Sequence, residues 1–384
     1  MTTAFNFLNP TQLHFGAGKL NDLQKIAPKY GRKALLVSRP KTGSLQKTYL
    51  RIEKLLNAAD ITLFHFDEII PNPTLEGIER GVAFAAQHQV DFILGVGGGS
   101  VMDSAKLMAL VYQPSGVIDW EETFSSYNNP FDFIPSKPSS LPFIAVSTTS
   151  GTGSQCTQAA VVSDTKNKEK ITLFHFDLFP KVALVDPELM LSVPPRVTSA
   201  TGFDAFTHAF ESFLGTRTSP LTIHLSLEAI KTVFDFLPKA LQEPENLDYR
   251  TQLAWADTCA GMCLSNGGAD LPHPLGEIIG GICPRVAHGE TLAMVYPSFL
   301  KYKQNSAQEK FEQIATYLGL QKQPDALRYA ILELLKVTEL SKATERAQFT
   351  AQEKNEIQAH PLLEKLNPKN PKTIYSMIEE SITI

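Results

Sequence analysis

Along the first half of the chain, short apolar runs alternate with stretches whose apolar residues recur at helical spacing. Residues 33–38 (KALLVS) form a continuous apolar run followed by turn residues, the pattern of a strand buried on both faces. Residues 45–59 carry helical spacing, 61–66 return to strand character, 75–88 predict a helix and 91–96 (DFILGV) another buried strand. Residues 143–147 and 181–185 (KVALV) complete the strand series. Strands alternating with helices in this way predict a layered α/β unit with a parallel sheet.

The pattern changes after Asp186-Pro187. Pro194-Pro195 interrupts the chain, and from residue 198 nearly every segment has helical periodicity, notably 219–241, 249–264 and 306–318. A boundary near 186–195 is expected, dividing the chain into an α/β domain, residues 1–190, and an all-helical domain, residues 191–384. Residues 119–141 are rich in Pro, Ser and Asn and read as a long excursion over the surface.

Composition agrees with this division and narrows the function. A length of 384 residues exceeds what one hydrophobic core usually serves. A formal net charge of -5 without a basic stripe argues against a nucleic-acid partner. No stretch approaches the roughly 20 apolar residues of a membrane helix, so no membrane partner is expected. Residues 1–15 are mixed polar and apolar and do not read as a secretory signal. Cys156, Cys259, Cys263 and Cys283 are few for this length. Cys259 and Cys263 share one helix face and read as buried thiols rather than a disulfide or metal site. A reducing, cytoplasmic location fits these features.

Two glycine-rich segments follow predicted strands. Residues 95–106 (GVGGGSVMDSAK) run from the DFIL strand into a helix, where close backbone approach and free N–H groups favour phosphate. The segment is neither the G-x-G-x-x-G fingerprint nor a Walker loop, and a tight turn needing positive φ is the plainer alternative. Residues 147–155 (STTSGTGSQ) bring hydroxyls and glycines to the end of another strand. Two such loops at the carboxyl edge of a parallel sheet describe a nucleotide crevice, or else a pair of solvated turns.

The helical half carries a constellation of a different kind. In residues 202–212 (GFDAFTHAFES), Asp204 and His208 stand four apart on one helix face, near enough to share an ion. An isolated pair of this kind also serves as a plain hydrogen bond. Downstream, His273 follows a proline at a helix start and His288 precedes a glycine at a segment junction. One carboxylate and three imidazoles suit a divalent transition ion such as iron or zinc.

Ordered motifs run through nearly the whole chain. They are FGAG at 15–18, PNP at 71–73, GGGSxxDxAK at 97–106, TTSGTGS at 148–154, DPEL at 186–189 and GxDAxTHAxE at 202–211. AGMCLSN at 260–266, HG at 288–289 and NPKNPK at 367–372 follow. With these motifs the chain resembles the iron-containing (group III) alcohol dehydrogenase family. The resemblance implies a nucleotide-binding α/β domain, a helical domain and a metal between them, the architecture shared with dehydroquinate synthase. It further implies a homodimeric NAD(P)-dependent enzyme acting on a small alcohol or aldehyde, with aldehyde reduction the expected direction.

Residue by residue, the resemblance makes Asp204, His208, His273 and His288 the metal ligands, Fe2+ being expected and Zn2+ possible. Gly97, Gly98, Gly99 and Ser100 are expected to cradle the pyrophosphate, with Asn72, Asp103, Thr148 and Thr149 as further cofactor contacts. Two positions depart from the family pattern. Glu277 stands where a second histidine is frequent, and is either a catalytic group that orients substrate or takes a proton, or a helix-surface carboxylate. Arg39, after the 33–38 strand, stands where NAD-preferring members carry an Asp. A guanidinium binds a 2′-phosphate with paired hydrogen bonds, so NADP(H) is expected over NAD(H), the alternative being an exposed Arg that tolerates both. The span from His273 to His288 is one residue longer than is common and predicts a local bulge. Rival readings are an NAD-using lyase of the sugar-cyclising synthase type, and a catalytically silent metal- or nucleotide-binding protein.

Overall fold

The computed structural model describes residues 4–383 apart from 42, 44, 132–138, 322 and 324. Among the described residues, eight strands make up its sheets. β1 (Gln12–Phe15), β2 (Lys33–Val37), β3 (Thr62–Phe66), β4 (Phe92–Gly97), β5 (Phe143–Ser147) and β8 (Val182–Val185) form one sheet, and β6 (Ala159–Asp164) with β7 (Glu169–Phe174) form a hairpin. The six strands are all parallel, in the order β1-β8-β5-β4-β2-β3.

Alternation along these strands explains the two covered faces. Ala34, Leu36, Leu94, Val96, Ile144 and Val146 pack with Leu23, Ile52 and Leu56, from the short α1 (Leu23–Ile26) and α2 (Gln46–Asn57). Leu35, Val37, Ile93 and Ala145 point the other way, onto Ile78 and Val82 of α3 (Leu75–His88) and Met108 of α4 (Gly99–Leu110). Both faces being dry, the strands read as unbroken apolar runs rather than alternating ones. β2 leads outward to β3, whereas β4 leads through β5 toward β8 on the opposite side. The strand order therefore switches direction between β2 and β4, and the crevice outside their carboxyl ends is where such sheets bind ligands.

Residues 119–141 depart from the expected surface excursion. α5 (Trp120–Ser126) forms there, capped by Asp119 accepting from the Glu122 N–H, and Thr123 and Tyr127 are buried. The apolar residues interleaved with the polar ones give this piece a core-facing side; residues 132–138 of the same stretch lie outside the described residues.

Every named element after β8 is helical: α6 (Pro195–Leu214), α7 (Pro220–Gln242), α8 (Leu247–Gly267), α9 (Pro272–Ile282) and α10 (His288–Ser306) surround one core. α11 (Gln308–Tyr317), α12 (Ala326–Val337), α13 (Ala343–Ala347), α14 (Ala351–Gln358), α15 (Leu362–Leu366) and α16 (Pro371–Ile382) pack outside them. The α/β unit with a parallel sheet followed by helices is the fold class expected from the pattern. Phe203, Phe206, Phe210 and Phe213 form the core stripe of α6 and pack on Tyr296 and Phe299. Truncating a ring such as Phe206 to Ala would cost about 3–5 kcal/mol. Among the described residues, no helix is long and apolar enough to cross a membrane. All four cysteines are free and buried.

Candidate functional site

The phenylalanine stripe of α6 leaves a second face, which carries Asp204, His208 and Glu211. These residues sit at i, i+4 and i+7 and are all buried. His273 is the second residue of α9 and His288 the first of α10. α9 runs without interruption to Ile282, so no bulge breaks it; residues 283–287 make the turn to His288.

The four side chains converge. Asp204 Oδ1 lies 3.5 Å from His208 Nε2, 3.9 Å from His273 Nε2 and 3.8 Å from His288 Nε2. One ligand atom each from Asp204, His273 and His288 lies within 4.8 Å of the other two. The His208 ring stacks on that of His273 at 4.7 Å between centroids. Tetrahedral ligands bound at about 2.1 Å would stand about 3.4 Å apart, close to these separations. Asp204 Oδ1 and His273 Nε2 are also buried without a hydrogen-bond partner, a costly state that a shared cation removes. The residues present fit a divalent metal.

Electrostatics point the same way. Burial pushes the Asp204 carboxyl up to about 8, against the opposing pull of His273. Burial alone would lower His273, but the Glu211 carboxylate overrides it and raises the imidazole to about 9. His208 and His288 are held well below the usual histidine range, by burial first and by the His273 charge second. Glu211 also fixes the His273 ring. Its Oε2 lies 2.7 Å from His273 Nδ1 and accepts from the Asp270 N–H at 2.7 Å, while Oε1 accepts from the Tyr296 hydroxyl at 3.1 Å. A proton kept on Nδ1 leaves Nε2 free to ligate. Glu211 had no assigned role in the sequence, although its place seven residues after Asp204 was the available signal.

A cavity of about 450 Å³ runs from this cluster to the edge of the sheet, lined by Asn72, Gly99, Ser100, Asp103, Glu277 and Lys170 among others. Gly97 ends β4, Gly98 caps α4 and Gly99 begins it. None of the three has positive φ, so the tight-turn alternative does not account for them. Space does: a Cβ on Gly97 would meet Val101 at 2.5 Å, on Gly98 Thr149 at 2.8 Å, and on Gly99 Thr152 at 2.6 Å. Asn72 donates from Nδ2 to the Pro284 carbonyl in the turn before His288, and Ser100 Oγ accepts from its backbone N–H. Asp103 is occupied within the protein, accepting from Ser154 Oγ at 2.9 Å and the Val161 N–H at 3.1 Å. Thr148 is buried, its N–H donating to the Gly97 carbonyl.

Of two expected residues, one lines this cavity and the other does not. Glu277 is one turn beyond His273 on α9, and its Oε1 accepts from the Thr172 hydroxyl at 3.0 Å. It lines the cavity rather than the outer helix surface. Arg39 is exposed just past β2, the strand registered beside β4, and stands outside the lining of the main cavity. Lys170, Thr172 and Phe174 also line the cavity, and no motif had marked them. Their spacing of two along β7 places them on one face, the only trace they leave in the sequence. Burial lowers the Lys170 ammonium, and Glu277 opposes that shift.

Comparison with known proteins gives the family. The model for iron-containing alcohol dehydrogenase matches residues 10–187, and that for the C-terminal part of the Fe-containing alcohol dehydrogenase family matches 198–381. The chain belongs to the iron-containing alcohol dehydrogenase family. It is 31% identical to the NADPH-dependent butanol dehydrogenase of Clostridium saccharobutylicum, over 82% of this chain and 78% of that protein. It is equally 31% identical to the NAD-dependent methanol dehydrogenase of Bacillus methanolicus, over 82% and 80%. An archaeal halo-thermophilic alcohol dehydrogenase from a Red Sea brine pool superposes with a TM-score of 0.89 at 26% identity, covering 99% of this chain and 100% of that one. As an iron-containing alcohol dehydrogenase, the chain is an NAD(P)-dependent, metal-using oxidoreductase of alcohols and aldehydes, and the lyase reading is set aside.

Proposed function

We propose that the chain reduces a small aldehyde, reversibly, with NADP(H) preferred over NAD(H), and with Asp204, His208, His273 and His288 holding a divalent metal, Fe2+ before Zn2+. The observation that carries this reading is the single buried oxygen, Asp204 Oδ1, standing 3.5–3.9 Å from three imidazole nitrogens at the floor of a nucleotide-sized crevice. A metal bound there supplies Lewis acidity toward the alcohol or carbonyl oxygen.

The protein's own share is binding, orientation and exclusion of water. Gly97, Gly98, Gly99 and Ser100 present backbone N–H groups at the start of α4 to the pyrophosphate. Asn72, Thr148, Thr149 and Asp103 shape the crevice around it, and Arg39 takes the 2′-phosphate at the rim. Glu277, fixed by Thr172, holds its free carboxylate oxygen toward the cavity, where it orients the substrate hydroxyl or accepts its proton. The chain is read as two domains, residues 1–190 and 191–384, with the site between them. It is further read as a cytoplasmic homodimer.

Reconstitution with Fe2+ or Zn2+, followed by nicotinamide absorbance with short aldehydes and alcohols, tests the reading. Net turnover of the nicotinamide is expected, with loss of both metal and turnover in His273→Ala. Binding of metal and nucleotide without turnover of any aldehyde or alcohol would sink it and favour a silent binding protein.

A further inference from the structure

Asp257 lies in the middle of α8, in the helical part of the chain, and is fully buried. Its carboxylate reaches across to the segment that follows β5. Oδ1 accepts from the Gly153 N–H at 2.7 Å, and Oδ2 accepts from Gln155 Nε2 at 2.7 Å. One turn further along α8, Gly261 meets the same segment backbone to backbone. A Cβ on Gly261 would stand 2.6 Å from the Gly153 carbonyl oxygen, and one on Gly153 would stand 2.4 Å from Gly261 Cα. Gly153 also has φ of 58°, in the left-handed region. The segment is thus held at two points on one face of α8, four residues apart.

The segment so held forms one wall of the nucleotide crevice. Thr149 abuts Gly98 and Thr152 abuts Gly99, so the position of residues 149–153 sets the space beside the glycine turn. Ser154 Oγ donates to Asp103 on α4, tying the wall to the helix that begins at that turn. Among the described residues, Asp257 is the acceptor for both the Gly153 N–H and Gln155 Nε2. We infer that Asp257 is a positioning residue for dinucleotide binding, through which the metal-bearing helical domain sets the shape of the cofactor crevice. The inference rests on the reading of that crevice as the NAD(P) site.

The polarity of the contact provides a specific test. Asp257 accepts on both oxygens; Asn at 257 accepts on one and turns an NH2 toward a donor. Asp257→Asn is expected to weaken NADPH and NADH binding about tenfold, as befits one charge-assisted hydrogen bond lost in a buried site. Gln155→Glu alone sets two buried carboxylates face to face and should weaken binding further. The double variant Asp257→Asn with Gln155→Glu exchanges donor and acceptor, and should bind within about twofold of the unaltered protein, since the hydrogen bond is remade.

Binding is read on the metal-free full chain from nicotinamide fluorescence, and on the reconstituted enzyme as a rise in cofactor KM with kcat largely kept. Thermal midpoints monitor folding. Should Asp257→Asn fail to fold, the double variant still decides. Recovery of folded, nucleotide-binding protein supports the inference. A double variant that stays unfolded, or is folded but no better than Asp257→Asn, overturns it, as does normal binding by Asp257→Asn. Failure of the unaltered chain to bind either dinucleotide would overturn the crevice reading and this inference together.

Discussion

His273 Nδ1 lies 2.7 Å from Glu211 Oε2, and that one carboxylate also gathers the Tyr296 hydroxyl and the Asp270 N–H. With Nδ1 directed at that carboxylate, Nε2 is the ring nitrogen that faces Asp204, and it would offer its lone pair to a metal once its proton is displaced. Glu211→Gln is isosteric but can present an NH2 to the ring, which favours the proton on Nε2 and blocks it as a ligand. Metal affinity should fall about 10–100-fold, the usual cost of losing such a supporting group. Chelator-competition titration measures it, with thermal unfolding as a control; equal affinity in the two proteins would remove Glu211 from this role.

Arg39 stands past the end of β2, beside the strand that delivers the glycine turn, with the Ser38 hydroxyl donating to its backbone carbonyl at 2.7 Å. Replacing the guanidinium by a carboxylate removes a partner for a 2′-phosphate and adds a repulsive one, while offering an acceptor to a 2′-hydroxyl. Arg39→Asp should lower the ratio of kcat/KM for NADPH over NADH by about tenfold or more. A ratio left unchanged would show that Arg39 tolerates both cofactors without choosing.

Much of this was legible in the chain before folding was considered, and the exceptions have physical causes. The central strands announced themselves because both their faces are dry, as in KALLV and FIAVS. β1 is only QLHF, with no residue fully buried, and leaves no apolar run to find. Asp204 and His208 share a helix, so their spacing is local. His273 and His288 begin two other helices, and only tertiary packing or family likeness joins them to the first pair. Glu211 hid inside a quoted motif because a supporting carboxylate looks the same in sequence as a surface one. The glycines of residues 97–99 were visible, but their reason was not: neighbouring side chains, not positive φ, exclude a Cβ there.

The turn that carries the chain from α9 to His288 is gripped from α14 as well. Arg285 Nη1 and Nη2 donate to the two oxygens of Glu353 at 2.5 and 2.8 Å, and Nη2 also reaches the Ala347 carbonyl at 2.9 Å. The Arg285 hydrogen bond, opposed by burial and aided by the Thr350 N–H and hydroxyl, lowers Glu353 from 4.5 to about 2. Because the folded value lies below the unfolded one, the stabilisation is complete above about pH 4.5 and is lost as pH falls toward 2. Arg285 is half-exposed, so solvent screening holds the effect to under about 1 kcal/mol. Glu353→Gln keeps the shape and an acceptor for the helix cap but removes the charge. In metal-free protein its thermal midpoint should fall below that of the unaltered chain at pH 6, by roughly 1–2 °C. The gap should narrow steadily as pH is lowered from 5 to 3, since only the carboxylate has a charge to lose. A gap constant over that range would mean that Glu353 acts on the turn through its shape alone.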